Sequence, residues 1–198
     1  MKNIIFLLLC VASFASCKAQ FLTSLNPPSS STPNLYFSDM DQDMNKFVGT
    51  WEYTNGSTTF ILTLQKKLMV PFDNQFEDLL VGEYSYSVGG NTIVNTLPLL
   101  DNLSIVGREH NVAGREIYPN NLFVKCNDCG PNERRFTLSF IDPERTYLLS
   151  RLTIRYLIGS NPEKIKAVIS DKHMVLLPSA NSPTEPRVPY GEYIMTKQ

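Results

Sequence analysis

From residue 58 onward, apolar and polar positions alternate with a period of two almost wherever the chain has a pattern. Phe60, Leu62 and Leu64 share one side, with Thr59, Thr63 and Gln65 on the other, and Tyr84, Tyr86 and Val88 oppose Glu83, Ser85 and Ser87. Downstream, Phe136, Leu138 and Phe140 oppose Arg135, Thr137 and Ser139. Leu152, Ile154, Tyr156 and Ile158 oppose Arg151, Thr153 and Arg155, and Ile165, Ala167 and Ile169 give one more apolar face. Successive side chains of a strand point to opposite faces, so each run predicts a strand with one face to bury. Turn signals stand between the runs at hairpin spacing: Asn55-Gly56, Gly89-Gly90-Asn91, Asp142-Pro143-Glu144 and Asn161-Pro162-Glu163. Short antiparallel strands that each offer one apolar face must bury those faces together, which predicts an all-β sandwich or closed barrel.

Three stretches depart from that period. Ser38-Asp39-Met40-Asp41 has the residues of a helix start, and Met40, Met44 and Phe47 recur at i, i+4 and i+7, so a short amphipathic helix is predicted to lead into Gly49. In PFDNQFEDLL, residues 71–80, Phe72, Phe76 and Leu79 repeat the same spacing among acids and suggest a short helix or folded lid. Residues 178–190, PSANSPTEPRVPY, run outside any sheet because proline removes ladder donors. They read as a long connection returning Gly191–Lys197 beside the first strand; a loop that rims a pocket or meets a partner is the competing reading.

The head of the chain is a separate matter. MKNIIFLLLCVASFASCKAQ has a basic start, an apolar run from Ile4 to Ala12 and small residues before Cys17, the layout of an export signal. That run is too short to span a bilayer. Phe14-Ala15-Ser16-Cys17 resembles a bacterial lipobox, with Phe14 where Leu is usual, and so implies acylation of Cys17 after cleavage; ordinary cleavage after Ala19 competes with it. The resulting division is a signal over residues 1–17, a Ser-, Pro- and Asn-rich tether over 18–38, and one folded domain over 39–198. An exported protein of the cell envelope is expected, facing the periplasm from the outer membrane, with acylated Cys17 as its membrane partner.

Charge and chemistry narrow the function further. With 18 basic and 19 acidic residues and no basic tract, nothing favours nucleic acid. Cys126-Asn127-Asp128-Cys129 precedes Gly130-Pro131 in a turn context. A redox dithiol needs a helix N-terminus, and zinc needs further ligands, whereas His110 and His173 lie at unrelated spacings. An oxidising compartment favours a disulfide between Cys126 and Cys129 that fixes a hairpin tip. Asp39-x-Asp41-x-Asp43 lacks the glycine and glutamate of a calcium loop, and no nucleophile elbow, metal helix or phosphate loop is present. His110, next to Glu109, reads as a surface residue. No catalytic residue, metal or cofactor is therefore assigned.

The stretch KFVGTWEY carries a further clue. A short helix, then Gly49-Thr50-Trp51 entering the first strand, then a run of hairpins resembles the lipocalin-like or calycin group. The resemblance implies an antiparallel up-and-down β-barrel whose one end is plugged by Gly49 and Trp51, with a basic side chain from a late strand, Arg155 or Lys197, packed over the indole. Tyr84, Tyr86, Phe136, Phe140 and Tyr156 are the candidates to line a ligand cavity, and equally to fill a solid barrel. From CKAQ through GTWEY to PTEPRVPYGEY, the chain also resembles a family of uncharacterised bacterial exported proteins, which implies location and no activity. The expected function is non-catalytic: binding a small apolar or amphipathic ligand inside the barrel, or serving as an envelope protein-interaction module with a solid barrel. A hydrolase on the same scaffold is the third reading.

Overall fold

The computed structural model describes residues 21–25, 34–118, 125–130, 133–172, 179 and 181–198. The segment read as an export signal, with Cys17, and His173 lie outside them. In chain order the strands are β1 (Phe21–Ser24), β2 (Leu35–Ser38), β3 (Gly49–Asn55), β4 (Thr58–Phe72), β5 (Gln75–Val88) and β6 (Asn91–Asn95). The second half contributes β7 (Val112–Tyr118), β8 (Arg135–Phe140), β9 (Ser150–Leu157), β10 (Lys164–Asp171) and β11 (Gly191–Lys197).

Eight of these strands close an antiparallel barrel in the order β3-β4-β5-β7-β8-β9-β10-β11, each beside its neighbour in that sequence. Closure comes from Thr196 opposite Glu52 and Lys197 opposite Trp51, and from Leu80 to Gly82 of β5 paired with Val112 to Gly114 of β7. The hairpin signals do what their chemistry requires. Gly56, for example, turns β3 into β4 at φ +57°, a left-handed conformation that costs a glycine little.

The inward positions build one continuous core. Trp51, Phe60, Leu62, Leu80, Tyr84, Phe136, Phe140, Leu152, Ile154 and Ile165 are all fully buried, and each such side chain contributes about 1.5–3 kcal/mol on removal from water. The aromatic rings meet edge-on, as at Phe60 and Tyr193, whose centroids lie 5.1 Å apart.

Strand β5 is buried on both faces, which the alternation alone does not indicate. Its outward residues Leu79 and Val81 form a second small core with Ala113, against Val70 and Leu100. The crossover of residues 96–111 covers this wall, with 3-10 turns at Leu97–Asp101 and Gly107–Glu109. One long edge of β5 is thereby divided among β2, β7 and β6.

Three expectations need correction. Among the described residues no α-helix precedes β3: Gln42 takes φ +56°, and Asn45–Phe47 forms a 3-10 turn. The side chain of Asp39 accepts from the backbone N–H of Asp43 and of Met44, at 2.9 and 3.1 Å, and so closes a turn where a helix was expected to start. Met44 and Phe47 are buried while Met40 is exposed. Residues 71–80 are neither helix nor lid but the β4–β5 hairpin, turning at Asp73 with φ +51°. The segment read as a spacer also contributes structure: β2 pairs in parallel with β5, and β1 with β2. Leu35 and Phe37 are buried, and the Arg115 guanidinium lies 3.8 Å from the Phe37 ring and donates to the Leu25 carbonyl.

Candidate functional site

Trp51 is buried beside the seam where β3 meets β11. The buried indole donates from Nε1 to the Phe47 carbonyl at 2.8 Å, and Lys197 Nζ sits 5.4 Å from its ring centroid. Gly49, at φ +130°, leaves room for that lysine: a Cβ there would come within 3.1 Å of Lys197 Cε. Of the two cations the sequence offers, Lys197 therefore covers the indole. Glu163 holds it by an ion pair of 2.8 Å and also accepts from the Tyr156 hydroxyl. Arg155 lies on the outer wall instead, bonded to Asp128 at 2.7 Å and to Glu133.

The five candidate lining residues belong to the packed interior or its margin. Tyr84, Phe136 and Phe140 have no exposed surface and Tyr86 very little, while Tyr156 is half-buried against Phe47. Tyr84 stacks on Phe140 at 4.6 Å and donates its hydroxyl to the Ile141 carbonyl at 2.9 Å. Burial, with Asp142 nearby, keeps that phenol protonated far above its ordinary range. A side chain with zero accessible area touches no void that would admit a water molecule, so Tyr84, Phe136 and Phe140 face packed neighbours on every side.

A buried ion pair fastens the proline-rich connection. Asp142 accepts from Arg187 Nη2 at 2.7 Å, from Arg187 Nε at 2.9 Å and from the Arg187 backbone N–H at 2.8 Å. Burial pushes the Asp142 pKa up, but these bonds prevail and hold it below the ordinary carboxylate value. They strap the proline-rich connection onto the barrel, aided by Arg145 on the Glu185 carbonyl at 2.6 Å and Tyr147 on the Pro183 carbonyl at 3.0 Å.

The outer wall of β5 holds the one histidine–carboxylate pair among the described residues. His110 is buried, not on the surface, and its Nδ1 lies 2.9 Å from Glu83 Oε1. Such a pair can serve as an oriented general base. Here Glu83 also accepts from Asn111 Nδ2 at 2.7 Å. The adjoining cavity, about 220 Å³ between Leu68, Leu100, Leu103 and Val106, is lined by no serine, threonine or cysteine among the described residues. The pair is fitted to hold the crossover against β5. Glu77 does the same farther along, accepting both Arg108 bonds, at 2.6 and 2.8 Å, and one from Arg115 at 2.8 Å.

On the opposite side, the wall of β8, β9 and β10 is cationic. Cys126 and Cys129 are joined in a disulfide, and their loop borders a cavity of about 70 Å³ lined by Lys125, Arg135, Thr153, Arg155 and Lys166. Beside it is a wider cleft of about 280 Å³ between Arg108, Glu116, Ser139, Arg151 and Lys172. Burial, together with the Arg151 charge, depresses the Lys172 pKa. The alternating pattern places Arg135, Thr153 and Arg155 on an outward face, but it does not indicate that they gather under one loop.

The chain belongs to a family of unknown function (DUF6705), whose model matches residues 1–198. Neither the curated proteins nor the solved structures contain a match.

Proposed function

We propose that this protein is a non-catalytic interaction module of the bacterial cell envelope, with a solid lipocalin-like barrel as scaffold and its recognition surfaces on the outside. The single observation carrying this reading is the contrast in where apolar surface lies. Trp51, Phe60, Tyr84, Phe136 and Phe140 are fully buried in the interior, whereas Leu68 (63% exposed), Met69, Phe72, Leu103 (95% exposed) and Val106 stand outside the barrel at the β4–β5 hairpin and the crossover beside it. Exposed apolar patches of this kind mark contact surfaces.

The surface this rim fits is a lipid bilayer. On the lipobox reading, Cys17 is acylated and three residues separate it from Phe21 of β1. Four residue steps reach at most about 14 Å. Because β1 lies level with the start of β5, through Phe21 opposite Leu35 and Tyr36 opposite Phe76, the anchor would emerge beside the hairpin that carries the rim. Lys67 borders the same patch and suits anionic headgroups. The acyl chains on Cys17 would supply retention, and the rim would set how the barrel lies against the surface.

Vesicle flotation of the Cys17→Ser form tests this. The unacylated protein is expected to float with phosphatidylglycerol-containing vesicles, and Leu68→Asp with Leu103→Asp to abolish flotation without loss of the folded signal. Flotation that is absent from the Cys17→Ser form, or unchanged by the two aspartates, would remove the membrane-facing role of the rim.

A further inference from the structure

We infer that the cationic cavity beside the Cys126–Cys129 loop is a binding site for a tetrahedral oxyanion of phosphate size, free or as the end of a larger molecule. Three independent features converge there. First, the cavity of about 70 Å³ has room for a small ion, since a water needs only about 10–15 Å³ of such space. Second, Lys125, Arg135, Arg155 and Lys166 line it from four separate segments: the loop and strands β8, β9 and β10. Third, Thr153 is 4% exposed, lines the cavity, and its hydroxyl has no hydrogen-bond partner. A buried hydroxyl without a partner costs about 1–3 kcal/mol, and an oxyanion seated against it would accept the missing bond.

The charges divide into two kinds. Arg155 is occupied with the loop, giving bonds to the Asp128 carboxylate and carbonyl at 2.7 and 3.1 Å and to Glu133; it positions the cover. Lys166 pairs at 2.9 Å with Glu192, the one carboxylate among the described residues that line the cavity. Arg135 is the deep cation, 3% exposed. Burial and the neighbouring Arg155 charge depress its pKa against the opposing pull of Glu133. A guanidinium suits this task because its rigid fork matches two oxygens of one oxyanion. The disulfide fixes the loop that carries Lys125 over the wall, and so gives the Cys126–Cys129 bridge a role in binding beyond holding a tip.

The test is calorimetric titration of the full chain with inorganic phosphate, and separately with glycerol phosphate, in low-salt buffer. Saturable one-to-one binding is expected, weakened roughly tenfold or more in Thr153→Val and in Arg135→Met, as for the loss of a hydrogen bond to a charged group. Thr153→Val conserves shape and removes only the hydroxyl, so it remains decisive if Arg135→Met fails to fold. Equal affinity for the two probes identifies the end of a larger phosphate ester as ligand; binding of inorganic phosphate alone identifies the free ion. Absence of saturable binding up to on the order of 10 mM, or unchanged affinity in Thr153→Val, would overturn the site.

Discussion

The two outer walls of the barrel are built from the same alternating strands and have opposite fates. On the β5 wall the outward positions are Glu77, Leu79, Val81 and Glu83, and the crossover of residues 96–111 covers them, so that leucine, valine and paired carboxylates share a second interior. On the β9 wall the outward positions are Arg151, Thr153 and Arg155, and they border cavities instead. The lesson concerns what an outward polar residue means. Beneath a packed crossover a buried carboxylate is a structural bond, satisfied several times over, whereas Thr153 beside a cavity keeps an unmet hydrogen bond that points to a ligand.

The contrast is broken most severely at Glu77. Removing it in Glu77→Ala would strand Arg108 and Arg115 under the crossover, and breaking such a buried pair costs about 3–5 kcal/mol; urea unfolding is expected to report a loss of that size. Asp142 ranks next. Its folded pKa is depressed below the ordinary 3.8, so its stabilising contribution is complete above that value and is lost as pH falls through the lower folded pKa. Wild type is expected to lose stability more steeply than Asp142→Asn in that acid window, with Asp142→Asn already weaker at neutral pH. On the cationic wall, replacing both Cys126 and Cys129 by serine removes a very short closed loop and is expected to lower stability by about 2 kcal/mol or less. The smallest effect has the reverse sign: Thr153→Val, measured by thermal unfolding in phosphate-free buffer, is expected to leave stability unchanged or raise it by about 1 kcal/mol.

Much of the architecture was legible before any coordinates. Period-two runs and hairpin dipeptides define most barrel strands, because strand geometry and left-handed turns constrain residue choice locally. Cys126 and Cys129 were readable as a disulfide for a similar reason, their separation and context leaving few alternatives. The failures share one cause, spacing that mimics a helix where long-range bonds decide the outcome. Met40, Met44 and Phe47 fit a helical stripe, yet Asp39 closes a turn there and is itself held by Lys66 at 2.7 Å. Phe72, Phe76 and Leu79 fit one too, but β4 and β5 extend past the barrel and place Leu79 in the second core. His110 looked like a surface residue because its partner, Glu83, is distant in sequence. The choice between Arg155 and Lys197 over Trp51 likewise depends on which strand closes against β3, a matter of register. The cationic cavity joins four segments, and no local pattern records such a meeting.

If recognition takes place outside a solid barrel, no ligand travels with its interior. Native mass spectrometry of the Cys17→Ser form, purified from the envelope of a lipid-rich bacterial host, tests this most directly when masses are compared before and after organic extraction. The account expects the bare polypeptide mass in both samples and no uptake of apolar probes at the core. A defined adduct released by extraction, and lost in a variant that overfills the interior such as Ala167→Phe, would contradict it and restore a ligand to the barrel.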